Sequence, residues 1–441
     1  MSLIFKVSNQ KEIQAIVNRH GGSVKMQSDY RTFRSYILFW LGQLVSLLGS
    51  SIAGFVIIWW ITLQTESAVY LSIASLVGFA PIVILSPLAG VLADRWNRKG
   101  LIATADLLQA LTTMALIFLF LSNVVSIWLI LVLLGLRGVF QAFHLPTVSA
   151  IIPTMVPKEK LSRMNGLNFL FTGAVNLVGP IAAALLLQFW SISQILWIDA
   201  VTFLIAIIPL LSISIPSVRK KQEQTSFRRE FGEGLAFVRN ARGFLPLIIL
   251  STALNFLITP LDTLLPYFVR FDHFGGVEDL AFVFAFVQGG ILAGGLFMSM
   301  IKGFKKKRMI VMALFIYVFF LVYAFAALTP TGLFWFMAIG GFIMLFCIPV
   351  INVLYMTIIQ TVVPMEMQGR VNSVDMALSN AARPFGMIIS GPIAEVIGTA
   401  NLFSGCALSG MLIFTISWLF TDIRHVEKME EASTEVQMER P

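Results

Sequence analysis

The sequence predicts an all-α integral membrane protein with twelve transmembrane helices in two homologous six-helix bundles. Three observations predict it. Of 441 residues, 57% are hydrophobic and only 12% charged, far too apolar for one soluble core and typical of a chain solvated largely by lipid. Twelve stretches meet the bilayer requirement of about 20 mainly apolar residues. Finally, a shift of 207 residues lays Val156-Pro157-Lys158-Glu159 and Arg163-Met164-Asn165 on Val363-Pro364-Met365-Glu366 and Arg370-Val371-Asn372. The same shift lays Arg95, Arg98 and Lys99 on Lys302, Lys305 and Lys306. Two independent coincidences at one offset argue for an internal repeat.

Residues 1–35 read as a polar, basic cytoplasmic arm. Asn9 and Glu12 stand at a spacing like a capping box, which opens a short helix ended near Gly21-Gly22. No cleavable signal is expected, because no short apolar region with a small-residue cleavage site precedes the first long run. Met26 is an alternative start, which would make residues 1–25 an extension. The N-terminal bundle, 36–214, holds segments 36–61, 69–91, 101–121, 125–152, 166–188 and 193–214. A cytoplasmic linker, 215–243, divides the helices six and six. In it Phe227, Phe231 and Leu235 recur at helical spacing among Arg228, Arg229, Glu230 and Glu233. That pattern fits either an amphipathic helix on the inner leaflet or a solvated connector packed against helix ends. The C-terminal bundle, 244–420, holds segments 244–268, 279–300, 309–328, 332–356, 373–397 and 400–420, and 421–441 is a cytoplasmic tail. The fourth and tenth segments run long, so tilt or a kink is expected near Pro146 and Pro349.

Basic residues fix the orientation. Outside the helices, Lys and Arg fall in the two termini and in alternate loops, and only Arg270 stands on the other side. By the positive-inside rule the chain is a multi-pass protein of the cytoplasmic (inner) membrane with both termini cytoplasmic. The net charge of +8 therefore reflects topology and membrane lipid, and no nucleic-acid partner is expected. Cys347 and Cys406 both sit in apolar runs and read as small core residues rather than a disulfide or metal pair.

The charged hinge Gly90 to Gly100 joins two membrane-length runs and must be a tight turn in water. Its pattern Gly-x-x-x-Asp-Arg-x-x-Arg-Lys, carried by Gly90, Asp94, Arg95, Arg98 and Lys99, resembles the major facilitator superfamily. Further stretches are similar to its drug-exporting branch with the macrolide efflux proteins: Gly42-Gln43-Leu44-Val45-Ser46, Ala74 to Phe79, Asp94 to Asp106, Ala142-Phe143-His144-x-Pro146 and Ala293-Gly294-Gly295. The resemblance runs from about residue 33 to 420. It implies a secondary transporter that alternates between inward-open and outward-open states and drives drug export with the proton gradient. The antiporter pattern of helix five is only partly present, as Val175, Gly179-Pro180, Ala183 and Ala184. The resemblance also makes the hinge an inner gate. Gly90 would permit close approach to a helix of the opposite half, Asp94 would meet that helix's positive N-terminal end, and Arg95, Arg98 and Lys99 would hold Asp94 or face anionic lipid.

A charge at membrane depth costs a few kcal/mol on insertion scales, so each needs a partner, a cavity or a function. Arg137 matches the arginine of helix four that the family associates with proton coupling; the alternative is a structural pair. Asp199, then Asp106 and Asp262, are the candidate proton carriers, since conformational exposure can load and release a proton from a buried acid. Asp106 lies near the hinge and has gate structure as its plainer reading. Arg383 either balances an acid from the other half or meets an anionic group on the substrate. Gln43, Ser46, Ser50 and Asn255 are candidate polar anchors in an apolar cavity between the halves, with packing as the plainer reading. The Gly179-Pro180 and Gly391-Pro392 pairs allow a bend or close packing. Under the repeat, Asp94, Asp106, Arg137 and Asp199 map to Ile301, Ala313, Met344 and Cys406, so the first half is expected to keep most of the buried charge.

The expected partners are a small lipophilic or amphiphilic substrate, protons and membrane lipids, with the chain acting as a monomer and using no cofactor or metal. Export of a native amphiphile such as a siderophore or lysolipid fits the same residues, and a nutrient importer stays open because fold does not set direction. An ATP-driven pump or a membrane enzyme is disfavoured: the sequence has neither a Gly-x-x-x-x-Gly-Lys-Ser/Thr loop nor a His-Glu-x-x-His pair.

Overall fold

Short connections between long apolar runs force the chain back and forth, and the twelve-helix fold follows. In the computed structural model the backbone is described for residues 2–122, 124–215, 227–301 and 307–426, with the side chains of 2–31, of Val91, Asp94, Arg95, Phe227, Arg228, Glu230, Ala326 and Ala327 and of His425 left aside. The first half comprises α1 (Ser2–Thr65), α2 (Ala68–Arg95), α3 (Arg98–Leu121), α4 (Ile127–Met155), α5 (Lys158–Leu187) and α6 (Ile192–Ser212). After α7 (Phe227–Asn240), the second half comprises α8 (Phe244–Tyr267), α9 (Val277–Met300), α10 (Arg308–Ala327), α11 (Phe334–Val362), α12 (Met365–Ile397) and α13 (Thr399–Phe420). Among the described residues eleven helices are long and apolar enough to cross a membrane. The remaining long helix, α12, has the length at 33 residues but carries Glu366, Arg370, Asp375, Arg383 and Glu395.

Two helix starts differ from the apolar count in the same way. α5 and α12 each begin eight residues before the runs 166–188 and 373–397, because a helix continues into water past the point where apolarity ends. Both start after a Val-Pro pair: Pro157 has φ −55° and ψ 143°, Pro364 has φ −54° and ψ 143°. Proline's fixed φ and missing N–H suit a helix entry. The starts lie 207 residues apart, so the repeat is written in backbone as well as in side chains. α4 and α11 run unbroken through Pro146 and Pro349. α1 likewise runs on past Gly21-Gly22, where a break was expected; glycine costs a helix only about 1 kcal/mol per residue.

Packing repeats too. α1 packs on α5 and α6, α2 on α4, and α3 on α4 and α6, while α8 packs on α12 and α13, α9 on α11, and α10 on α11 and α13. The halves meet chiefly through α2 on α12 and α5 on α9. Backbones approach closely where glycine leaves room: Gly138 of α4 faces the Gly78 carbonyl of α2, and Gly290 of α9 faces the Phe342 carbonyl of α11.

An even number of crossings puts the start of the first membrane run, near Thr32, and the end of α13 on one side of the bundle, here the terminal side. On the opposite, far side the halves share one core: Ile52, Phe55, Val56 and Trp59 of α1, with Ala68 and Leu71 of α2, join a cluster continuous with the second half. On the terminal side Tyr36, Phe39, Trp40, Ile102 and Met155 form a core confined to the first half. The far side is sealed by α2 and α12. Ser72 and Ser390 hydroxyls are 3.0 Å apart, and the Glu395 carboxylate accepts from Ser67 Oγ at 2.5 Å and from the Val69 backbone N–H at 3.2 Å. A Cβ on Gly391 would stand 2.5 Å from the Ala68 carbonyl, so this glycine serves close packing, as Gly179 does against Ser51. Pro180 is buried and Pro392 exposed beside them, each within an unbroken helix.

The hinge behaves differently from expectation. A methyl group placed on Gly90 would find nothing within 4 Å, so this residue makes no close approach to α12 in this state. Lys99 donates to the carbonyls of Leu211 and Ile213 at 2.6 and 2.8 Å, tying α3 to the end of α6 rather than facing lipid. Arg98 donates to Ala93 at 3.1 Å and Ala150 at 2.9 Å, linking α2, α3 and α4. The readings of the Asp94 and Arg95 side chains, and of the basic copy at 302–306, lie outside the described residues. α7 takes the connector alternative: Phe231 and Leu235 pack on the second-half core, and Glu233 binds Arg370 of α12 at 2.7 Å.

At the far end of α8 the chain makes a π-helical turn, Phe268–Asp272, leading to His273. His273 is buried against Phe268 and Phe334, and burial holds its imidazole below the ordinary value, opposed by a hydrogen bond to the Pro330 carbonyl. Cys347 and Cys406 are free and buried, as small core residues should be.

Candidate functional site

The first half lines a cavity of about 450 Å³ with residues from all six of its helices, chiefly α1 and α4. Arg137, Gln43, Ser46, Ser50 and Asp106 all line it, so the structure brings five of the sequence's candidates to one place. Asp199 lies behind its wall, wholly buried. Arg137 donates to Asp199 Oδ2 at 2.7 Å and to Thr113 Oγ1 at 2.6 Å. Thr113 donates to Asp199 Oδ2 at 2.7 Å and Ser50 to Asp199 Oδ1 at 2.9 Å. Both carboxylate oxygens thus have charged or hydroxyl donors, which is what a carboxylate needs at membrane depth. Gly49 makes the arrangement compact, for its missing side chain lets Thr202 and the backbone of Asp199 close on α1.

About two helical turns nearer the terminal side, Asp106 is 1% exposed and faces His144 and Gln43. Its Oδ1 lies 3.1 Å from His144 Nε2, and Gln43 Nε2 reaches its Oδ2 at 3.4 Å while Gln43 Oε1 stands 3.0 Å from His144 Nε2. His144 Nδ1 is buried without a hydrogen-bond partner. Asp106 is therefore a cavity residue, and its reading as gate structure gives way to this contact set.

The second half holds a cavity of about 500 Å³ lined by Asn255, Asp262, Gln288, Asn352 and Arg383 among apolar and aromatic side chains. Arg383 binds Asp262 at 3.2 Å. Its acid comes from its own half, on α8, and not from the other; what the first half contributes is the ring of Phe79, 5.1 Å from the guanidinium carbon. Below it Asn255 lines a second, smaller pocket with Tyr355, and there Tyr355 donates to the buried Asp375 at 2.6 Å. Asp375 shows that the second half carries more buried charge than the repeat comparison suggested.

A family model described as Major Facilitator Superfamily matches residues 39–374. The chain belongs to the Major Facilitator Superfamily. As a member it is a multi-pass membrane transporter rather than an enzyme. Macrolide efflux protein A of Streptococcus pyogenes is 30% identical over 403 residues, spanning 90% of this chain and 97% of that protein. Multidrug efflux pump Tap of Mycolicibacterium fortuitum is 24% identical, over 83% of this chain and 91% of its own length. Among solved structures, the nucleoside transporter NupG aligns with a TM-score of 0.67 at 14% identity, covering 87% of this chain and 99% of its own. A bacterial homologue of the iron transporter ferroportin, in an inward-facing state, aligns at 0.67 with 15% identity over 87% and 98%. These structural likenesses bear on the fold, which is the superfamily's.

Sequence reasoning missed His144, Thr113, Asp375 and Tyr355 as site residues. His144 sits seven residues after Arg137, two turns along the same helix face, and that spacing was the available signal. Thr113 and Tyr355 gave none, since a threonine or tyrosine in a transmembrane run is ordinary until its partner is known.

Proposed function

We propose that this transporter exports lipophilic or amphiphilic, macrolide-like compounds across the cytoplasmic membrane by alternating access, with protons moving the opposite way. The observation that carries the proposal is the Arg137 and Asp199 pair at the wall of a cavity. An acid neutralised by a guanidinium in one arrangement must take a proton in any arrangement that separates them, since a bare carboxylate is costly in low dielectric. Asp199 is thus the first proton carrier, released or loaded as α4 and α6 shift. Asp106 with His144 and Gln43 is the second. Relatives named for macrolide and multidrug efflux supply the cargo class.

With the basic termini and loops on the cytoplasmic side, the α2 and α12 seal faces outward and the uncontacted Gly90 faces inward. The hinge of Gly90, Asp94, Arg95, Arg98 and Lys99 is the inner gate that closes in the alternate state. Gln43, Ser46, Ser50 and Asn255 anchor cargo, and the protein works as a monomer among lipids.

Efflux of ethidium and of a macrolide from a pump-deficient host tests this. Efflux that stops when a protonophore collapses the gradient supports it; efflux that persists rules out proton coupling, and no efflux of either compound rules out the cargo class.

A further inference from the structure

The cavity of the second half has an acid that is only half used. Asp262 is 44% exposed toward that space, and among the described residues its carboxylate has a single partner, one nitrogen of Arg383 at 3.2 Å on Oδ2. Arg383 is engaged on two sides, by Asp262 and by the face of Phe79. Around Asp262 the walls include Phe268, Phe284 and Phe403, and the remaining polar lining is the neutral Asn255, Gln288 and Asn352.

We propose that this cavity selects lipophilic cations, above all protonated amines, and that Asp262 receives the cationic group while the largely aliphatic walls, with Phe284, hold the apolar body. This rests on the export reading above and names the class of compound within it. A protonated amine can donate a charge-assisted hydrogen bond to the open Oδ1, while the apolar walls exclude water from the contact. An anion finds the opposite: among the described residues the one cation lining the cavity, Arg383, is already bound to a carboxylate, which would stand beside the anion and repel it. The volume of about 500 Å³ falls in the range of drug-sized sites. The neutral amides can serve hydroxyl and carbonyl groups of the cargo without choosing its charge. Asp262, expected from the sequence to carry protons, is thereby assigned to cargo.

The test uses the full-length protein, purified and without any ion gradient, and two ions of the same shape and opposite charge, tetraphenylphosphonium and tetraphenylborate. The phosphonium is expected to bind at least about tenfold more tightly, and Asp262→Asn to remove most of that preference while Asp262→Glu keeps it. Gln288→Lys, which leaves the Asp262 and Arg383 pair in place, should reverse the preference by setting a second cation on the wall. Equal binding of the two ions, or a preference untouched by both Asp262→Asn and Gln288→Lys, overturns the assignment. Because binding is read without a gradient, a failure of proton-driven export in cells leaves this result standing, and intact export with no charge preference refutes the cation site alone.

Discussion

Asp199 of α6 and Arg137 of α4 meet at 2.7 Å, the carboxylate wholly buried and the guanidinium 14% exposed to the first-half cavity. The asymmetry assigns different consequences to the two partners. Arg137→Ala would leave an uncompensated buried carboxylate, a loss of about 3–5 kcal/mol, and should lower folded yield and thermal stability of the purified protein. Asp199→Asn keeps one carbonyl oxygen to accept from Thr113 and Arg137 in place of Oδ2, while its NH2 in place of Oδ1 donates to the Ser50 hydroxyl; it should fold, yet lose gradient-driven efflux by tenfold or more while still binding cargo. Full efflux by Asp199→Asn would remove this acid from the coupling path.

Glycine positions in α2 and α12 separate the two sides of the molecule. Gly391→Ala places a methyl against the Ala68 carbonyl and Ser72 hydroxyl, each 2.5 Å away, so the far-side seal must part. Gly90→Val adds atoms to open space and should leave the present state intact while hindering closure of the terminal side. Cysteine accessibility should rise on the far side for Gly391→Ala and stay high on the terminal side for Gly90→Val. An unchanged pattern in Gly90→Val would show that this residue takes no part in a gate.

The twelve helices, their division and the 207-residue repeat could be read from the chain because apolar length and basic loops are local properties. Arg137, Asp199, Gln43 and Ser50 stood out for a related reason, since charge in an apolar run calls for a partner. Which partner it finds was not legible. Nothing in the sequence distinguishes Asp262 of its own half from an acid across the interface as the mate of Arg383. Asp375 escaped notice because α12 begins in water, so a carboxylate ten residues in reads as solvated until Tyr355 is seen to cover it. The open state of Gly90 is likewise beyond sequence, which encodes both states of a gate at once.

Glu395 bridges the halves by capping the first turn of α2, where the helix N-terminus favours a negative charge. Glu395→Gln retains one acceptor oxygen but loses that charge, and Glu395→Ala loses both. A step of about 1 kcal/mol, or roughly fivefold in population, is expected toward far-side opening for the alanine variant, with glutamine between it and the parent. Spin-label distances between the far-side ends of α2 and α12 would report the order. If the three proteins give one distribution, the contact does not set the seal.

His273 gives a pH signature independent of transport. Burial against Phe268 and Phe334 keeps its imidazole neutral to lower pH than in the unfolded chain, where it takes a proton near about 6.5. Between those two values the unfolded state binds more protons, so stability rises with pH. This contribution is complete above the unfolded value, declines as pH falls, and levels once the folded imidazole is also protonated. His273→Phe has no proton to gain. The difference in thermal midpoint between the parent and His273→Phe should therefore shift in favour of the variant as pH is lowered from 7.5 to about 5. A difference that is constant across that interval would mean that the imidazole is protonated equally in both states, and its burial would then have no hold on its charge.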